Sequence, residues 1–459
     1  MDKLGAHAIV IGAGIGGLVA ARVLANHYGR VTLLERDTLP TKAEPRKGVP
    51  HGRHAHGLLA RGREVLEQMF PGLTDELIDA GAIPGDTLGD SRWFNFGVYL
   101  ANGHSGLRSI LLSRPLLETH LRRRLLADFS VSVREQTSVQ ALCADVDGLR
   151  VTGVRVPGET LAADLVVDAS GRHSHSSEWL AHLGYAPPAE EIIGVRISYA
   201  TRFLRRRPEH LGGKRVALIA AHEPVWRFGV ALAVEHDRWI VTQGGYFDDM
   251  PGSGDAAYLE FARTLAAPDI AGLLAAADPI TAPVGFGFPA SRRSRYERLT
   301  RFPEGYLVFG DALCSFNPIY GQGMTASALE AVALDDCFAQ GSRFLAPRFF
   351  AKASDIIDTP WQIAAGNDLR HPRLSSHQST IGRFMNWYIG KVHQAGAMDP
   401  AVACAFLRVA NLMEPPTQLF ASGTVLKVVR GNLRSIPRPP KNAPPTSRRA
   451  AANIAEMVD

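Results

Sequence analysis

Residues 6–36, AHAIVIGAGIGGLVAARVLANHYGRVTLLER, decide the fold of this chain. An apolar run, Ala8 to Ile11, enters Gly12-x-Gly14-x-x-Gly17. A helical pattern follows with Ile15, Leu18, Val19 and Val23 on one face, and a second run, Val31 to Leu34, ends at Glu35. The spacing predicts strand, glycine turn, helix and strand. Gly12 makes the tight turn, Gly14 lets the backbone approach a pyrophosphate, and Gly17 lets the helix pack closely on the sheet. Amides at the helix start, around Ile15 and Gly16, face the phosphate charge. Glu35, followed by Arg36, is placed to accept hydrogen bonds from an unphosphorylated ribose, which favours an adenine dinucleotide other than NADP.

A chain of 459 residues exceeds one compact core, so two or three substructures are expected. With 46% hydrophobic and 21% charged residues, it reads as an ordinary globular protein and not as a disordered or fibrous one. The net charge of +5 permits an acidic partner without requiring one. Its arginines gather in Arg122-Arg123-Arg124 and Arg205-Arg206-Arg207, expected on solvated faces. No aromatic interleaving or nucleic-acid motif accompanies them, so nucleic acid is not an expected partner. Cys143, Cys314, Cys337 and Cys404 lie far apart with no CxxC, which predicts neither a disulfide framework nor zinc. The patterned glycines separate the apolar N-terminus from a signal or anchor, and no later run has spanning length. A soluble protein of the reducing cytoplasm is the expectation.

Beyond Glu35 lies a proline- and charge-rich loop, then Gly48-Val-Pro-His-Gly-Arg-His-Ala-His-Gly57. His51, His54 and His56 have poor spacing for one helical face and no carboxylate among them, so no metal is expected. The segment, Arg53 included, suits a loop packed on a bound cofactor. A helix is predicted from Leu58 to Met69. Ser113 caps another with Pro115 in its first turn, which puts Arg114 at a helix entrance within reach of a cofactor, although the segment by itself reads as carrying a surface arginine. Short strands from Val131 to Val167 turn at Asp147-Gly148 and Pro157-Gly158 and stop at Asp168-Ala-Ser-Gly171-Arg172. From about residue 190 to 300 alternating stretches predict an antiparallel sheet with Trp226, Trp239, Phe286 and Phe288 most simply in its core, although periodicity does not separate core residues from any that line a pocket. A buried strand, Tyr306 to Phe309, then delivers Gly310-Asp311 at its end, where open α/β sheets bind ligands. After Pro318, Gly321-Gln322-Gly323 opens a helix, Met324 to Phe338. Asp311 suits sugar-alcohol hydroxyls, and the helix-start amides suit negative charge. From Pro347 to Leu433 the pattern is helical, with breaks near Pro372, Pro400 and Pro415-Pro416.

With Gly12, Gly14, Gly17 and Glu35 at one end and Gly310-Asp311, Pro318 and Gly321-Gln322-Gly323 at the other, residues 7–340 resemble the flavoprotein monooxygenases of the p-hydroxybenzoate hydroxylase fold. Gly48–Gly57 and Phe316–Met324 are similar to the bacterial flavin epoxidases of polyether antibiotic pathways, which are distantly similar to squalene epoxidase. Asp168-Ala-Ser-Gly171-Arg172 departs from the usual Asp-Gly signature toward epoxidases and halogenases.

The resemblance implies an α/β fold: a Rossmann-like FAD domain, discontinuous over 1–172 and 300–340, and an inserted, mainly antiparallel substrate domain over 173–299. A helical C-terminal region over 341–435 and a flexible Pro/Arg-rich tail over 436–459 complete it. It implies FAD bound by Gly12, Gly14, Ile15, Gly16, Gly17, Glu35, Arg36, Arg53, Arg114, Gly310, Asp311, Pro318, Gly321, Gly323 and Met324. Pro318, Gly321, Gln322 and Gly323 would lie beside the isoalloxazine, and no metal is expected.

The implied reaction inserts one atom of O2 through a flavin C4a-hydroperoxide, with NADPH or NADH as reductant, directly or through a separate flavin reductase. The implied substrate is a large apolar polyene or polyketide-type alkene, to be epoxidised. An alkene attacks electrophilic oxygen without a general base, and the sequence shows no carboxylate or histidine pair placed as one. Aromatic hydroxylation, halogenation and isoprenoid reduction are the enzymatic alternatives. The tryptophan-rich segment and lysine of a halogenase are not visible, and a non-enzymatic flavin-binding protein fits least because both halves of the cofactor site are kept.

Overall fold

The computed structural model describes residues 3–433, so the tail expected over 436–459 lies outside the described residues. Its central sheet is parallel, in the order Tyr306–Val308, Leu165–Asp168, Gly5–Ile11, Tyr28–Leu34, Val131–Arg134. The register sets Ile11 opposite both Leu34 and Asp168, and Asp168 opposite Val308. Gly12, Glu35, Ala169 and Phe309 therefore leave the sheet at one carboxyl edge, the place where such sheets bind ligands. Ala8, Ile9 and Val10 are wholly buried, as strands covered on both faces require. The helices Ile15–His27 and Gly323–Phe338 pack against each other. The second strand begins at Tyr28, earlier than the apolar run Val31–Leu34 predicts, because Tyr28 leaves the helix directly into extended backbone and buries its ring against Phe338.

A seven-stranded sheet stands beside it, ordered Val284–Phe288, Ile197–Arg205, Arg238–Gly245, Arg227–Val234, Val216–Ile219, Ser91–Asn95, Val98–Tyr99. The last two strands precede the range expected to supply this sheet, and Ser91–Asn95 joins it in parallel to Val216–Ile219. Side chains alternate across it. Ala200, Trp239 and Val241 pack on one face with Tyr258 and Ile270 of the helices Asp255–Arg263 and Asp269–Ala276. Tyr199, Phe228 and Phe288 line the other face with Ile319 and Leu374.

Four long helices follow the late nucleotide motif: Leu345–Asp368, Thr380–Gly396, Pro400–Ala410 and Ser422–Leu433. Pro360 sits inside the first without ending it. Ser379 Oγ accepts from Gly382 N–H and Asp399 Oδ1 from Ala401 N–H, capping the next two. The arginine triplet Arg122–Arg124 is not uniformly solvated. Arg122 is buried and donates to the Pro40 carbonyl, because its face of the helix Arg114–Asp128 is covered by the loop after Glu35, while Arg123 and Arg124 pair with Glu76. Among the described residues no helix is long and apolar enough to cross a membrane.

Candidate cofactor and substrate site

The glycines of the first motif differ in what requires them. Gly12 has φ +97°, and a Cβ there would lie 2.7 Å from the Ala169 carbonyl oxygen. A Cβ at Gly17 would collide with the Gly12 carbonyl oxygen, so helix and turn touch backbone to backbone. Gly14 is different. A Cβ there would meet nothing nearer than the guanidinium tips of Arg46 and Arg114, at 3.9 and 4.0 Å. Internal packing does not need a glycine at 14, but an anion held under two arginines at a helix N-terminus does.

Arg46 was not legible in the sequence: a lone arginine in a polar loop has the spacing of a surface charge. Its Nη1 lies 2.9 Å from Glu35 and 3.3 Å from Asp37, and its Nε donates to Glu118 at 2.9 Å. Glu35 also accepts from the amides of Ala13 at 2.9 Å and Asp37 at 3.0 Å. The residue expected to await a ribose is thus held by three protein donors, because a buried carboxylate at this edge needs a cation and hydrogen bonds to be tolerated. A carboxylate has about four acceptor positions, so one remains for a hydroxyl. Arg114 opens its helix as expected, 3.5 Å from Glu118 Oε2. Arg36 and Arg53 are exposed, and among the described residues neither makes a side-chain hydrogen bond or ion pair to this cradle.

At the second motif, Gly310 (φ +66°) turns the chain and donates its N–H to Glu330 Oε2 at 2.8 Å. The Asp311 carboxylate has no hydrogen-bond partner among the described residues and lies 3.5 Å from where a Gly323 Cβ would be, at the mouth of the helix Gly323–Phe338. Desolvation raises its pKa, and the charges of Arg114 and Arg172 pull it back. Two further buried polar atoms on these loops lack a hydrogen-bond partner among the described residues, Gln322 Oε1 and Arg114 Nε, the latter only in ion-pair range of Glu118. Gly321 closes against Gly57, so the histidine loop covers the late motif. Met324 is buried just inside the helix, and Pro318 is exposed at the head of the preceding turn. The donors, the open space at Gly14 and the unfilled Asp311 fit a dinucleotide with a polyol arm, the chemistry of FAD.

Glu330 supports the Gly310-Asp311 turn from below. Burial pushes its carboxyl up to about 8, the Gly310 amide opposes that rise and Asp311 adds to it. The folded protein therefore holds a proton that the unfolded chain releases near its ordinary value of 4.5, and stability falls as pH rises from there through about 8. Glu330→Gln keeps an acceptor for Gly310 and does not titrate. Thermal melts should match the native chain near pH 4 and exceed it near pH 9 by a margin on the order of 1–3 kcal/mol. A pH-independent difference would rule out this ionisation.

Asp168 is closed off from ligands: it accepts from Ser170 N–H at 2.9 Å, from Ser174 Oγ at 2.6 Å and from Ser176 Oγ. The altered middle signature is thus a clamp on the loop after the strand. That loop projects Arg172, whose guanidinium lies 4.7 Å over Phe288 and acts on Asp311, between the two halves of the site.

The histidine loop packs on an aromatic wall of the seven-stranded sheet, with the Arg172 guanidinium at its Phe288 edge. His54 Nδ1 is 2.7 Å from Thr201 Oγ1, and its ring lies 4.8 Å from Tyr199 and 5.5 Å from Phe286. Burial first, then the nearby arginines, lowers His54 to about 4 and His56 to about 3, and lowers His51 as well, so all three are neutral at pH 7. Phe286 and Trp226 are half-buried beside this wall rather than deep in the core, whereas Trp239 is fully buried.

A carboxylate lies behind the wall. Asp368, at the end of its helix, accepts through one oxygen from the hydroxyls of Tyr246 at 2.7 Å and Tyr320 at 2.8 Å and from the Asn317 amide at 2.9 Å. Its other oxygen has no hydrogen-bond partner among the described residues. Burial pushes this carboxyl up to about 7 against the pull of those three donors. Tyr320 is half-buried, two residues beyond Pro318. This cluster adds a buried carboxylate that the sequence does not single out. The four residues come from three distant segments, and no spacing in the sequence joins them.

Residues 6–194 match the FAD binding domain family. Protein Rv3254 of Mycobacterium tuberculosis is 34% identical over 453 residues, covering 93% of this chain and 94% of that protein. Kynurenine 3-monooxygenase of Salinispora arenicola is 27% identical over 364 residues, 73% of each. Among solved structures, PqsL of Pseudomonas aeruginosa in complex with 2-aminobenzoylacetate superposes with a TM-score of 0.60 at 17% identity, over 81% of this chain and 98% of that one. The chain therefore belongs to the family that contains Protein Rv3254, and it is an FAD-dependent monooxygenase of the p-hydroxybenzoate hydroxylase-type fold.

Proposed function

We propose that this enzyme epoxidises an alkene of a large apolar substrate. The observation that carries this reading is the aromatic wall of His51, His54, Tyr199, Phe286 and Phe288, against which Ile319 of the Pro318–Gly323 loop packs. Reduced FAD supplies the activation of dioxygen when bound. Arg46 and Arg114 would hold its diphosphate over Gly14, Glu35 its ribose and Asp311 its polyol arm. The amides opening the helix at Gly323 would stabilise negative charge on the ring. The aromatic wall excludes water and holds the double bond beside the Pro318 turn.

The test is anaerobic reduction of the purified yellow protein by NADPH or NADH, with and without an added flavin reductase, followed by oxygen and a polyene. Gain of one oxygen atom as an epoxide supports the reading; reduction of the double bond without oxygen overturns it.

A second reading, aromatic hydroxylation, is favoured by Asp368. A ring hydroxyl or amine could pass its proton to the Tyr320 oxygen as the Tyr320 proton passes to Asp368. Kynurenine and 2-aminobenzoylacetate, named with the relatives above, both carry a 2-aminobenzoyl ring. Asp368→Asn should slow such hydroxylation by about 10²–10⁴-fold and flatten its pH profile, and should leave the rate of alkene epoxidation unchanged.

A further inference from the structure

The helices Thr380–Gly396 and Ser422–Leu433 each bury one face and leave an apolar stripe in water. On the first, Ile381 (75% exposed), Phe384 (54%) and Trp387 (58%) recur at helical spacing, while Tyr388 and Val392 face inward. On the second, Leu426, Val429 and Leu433 (82% exposed) do the same over a buried Val428. Asn432 Nδ2 donates to the Lys391 carbonyl at 2.9 Å, which sets the end of the second helix beside the first, one turn beyond Trp387. Isolated exposed apolar residues are ordinary, but aligned stripes that include an exposed tryptophan are not.

Charge identifies what covers them. Arg383, Lys391, Lys427 and Arg430 lie on the same two helices, and none is in an ion pair among the described residues, whereas arginines elsewhere in the molecule are repeatedly paired. The sequence holds no Asp or Glu between Asp368 and Asp399, nor between Glu414 and Glu456. The second interval includes Lys427, Arg430, Arg434, Arg438, Lys441, Arg448 and Arg449. A second copy is a poor occupant, since a two-fold contact would set each cationic stripe against itself. Aromatic and aliphatic side chains flanked by unpaired lysine and arginine are the composition of an interfacial helix face.

We propose that this two-helix face docks on an anionic lipid surface, with Ile381, Phe384, Trp387 and Leu433 entering the headgroup boundary and Lys391, Lys427 and Arg430 meeting lipid phosphate. The attachment is peripheral.

The test is sedimentation of the full-length FAD-loaded protein with vesicles of phosphatidylcholine alone or mixed with phosphatidylglycerol. Binding should appear on the anionic vesicles, fall with added salt, and quench or shift Trp387 emission. Lys427→Glu with Arg430→Glu should weaken it by at least about 25-fold, from roughly fivefold per basic residue. Phe384→Ser with Trp387→Ser should abolish it while flavin absorbance and turnover persist, which shows that the fold is intact. Equal binding to both vesicle types, or to neither, overturns the proposal. So does a dimer in solution that the Phe384→Ser/Trp387→Ser variant converts to monomer.

Discussion

Gly14→Ala should yield a protein as stable as the native chain, within about 0.5 kcal/mol, that binds FAD about 10–100-fold more weakly. At this position a methyl group enters space that no protein atom fills to within 3.9 Å. Only an incoming diphosphate, drawn to the backbone between Arg46 and Arg114, would meet it. Gly17→Ala should behave in the opposite way. Its methyl meets the Gly12 carbonyl oxygen whether or not a cofactor is present. The apoprotein should lose roughly 1–3 kcal/mol or more, and flavin should be lost with it. Titration of each refolded apoprotein with FAD, beside thermal melts, separates the two. Native affinity in Gly14→Ala would remove the diphosphate from this cradle.

Arg46→Met should destabilise the apoprotein by about 3–5 kcal/mol, more than any change at Arg36 or Arg53. The substitution leaves Glu35 and Glu118 buried, with Asp37 beside them, and without the cation they share. Adding Glu118→Gln to Arg46→Met should recover part of the loss, since the uncompensated charge is the source of the penalty. Equal melting of Arg46→Met and the native chain would mean that the carboxylates are neutralised in some other way. Arg36→Met and Arg53→Met, at exposed positions, should change stability by less than about 0.5 kcal/mol.

What the sequence revealed and what it hid have one physical origin. The strand, turn and helix at residues 5–27 are fixed by contacts within the segment, and period and glycine spacing report them directly. Gly310-Asp311 and the helix after it are local in the same sense. Arg46 acquires its meaning from Glu118, and Asp368 from Tyr246 and Tyr320, partners that only the tertiary fold brings near. The Ser91–Asn95 strand was hidden for the same reason, because its partner is Val216–Ile219. Glu35 ends its strand at the carboxyl edge, and the donors that hold it there, Arg46 above all, are partners that no spacing reports.

The order of strands in the central sheet also governs how the chain emerges from the ribosome. Gly5–Ile11 lies in the middle, and its open edge is filled only by Leu165–Asp168, which is covered in turn by Tyr306–Val308. At usual elongation rates, roughly ten seconds separate synthesis of the first strand from that of its second neighbour. Through that interval an apolar edge is ready to pair with the same segment of another nascent chain. Fragments ending before residue 165 should therefore aggregate, and residues 1–172 cannot be excised as an autonomous cofactor-binding unit, since the strand that covers their last edge is made near residue 306.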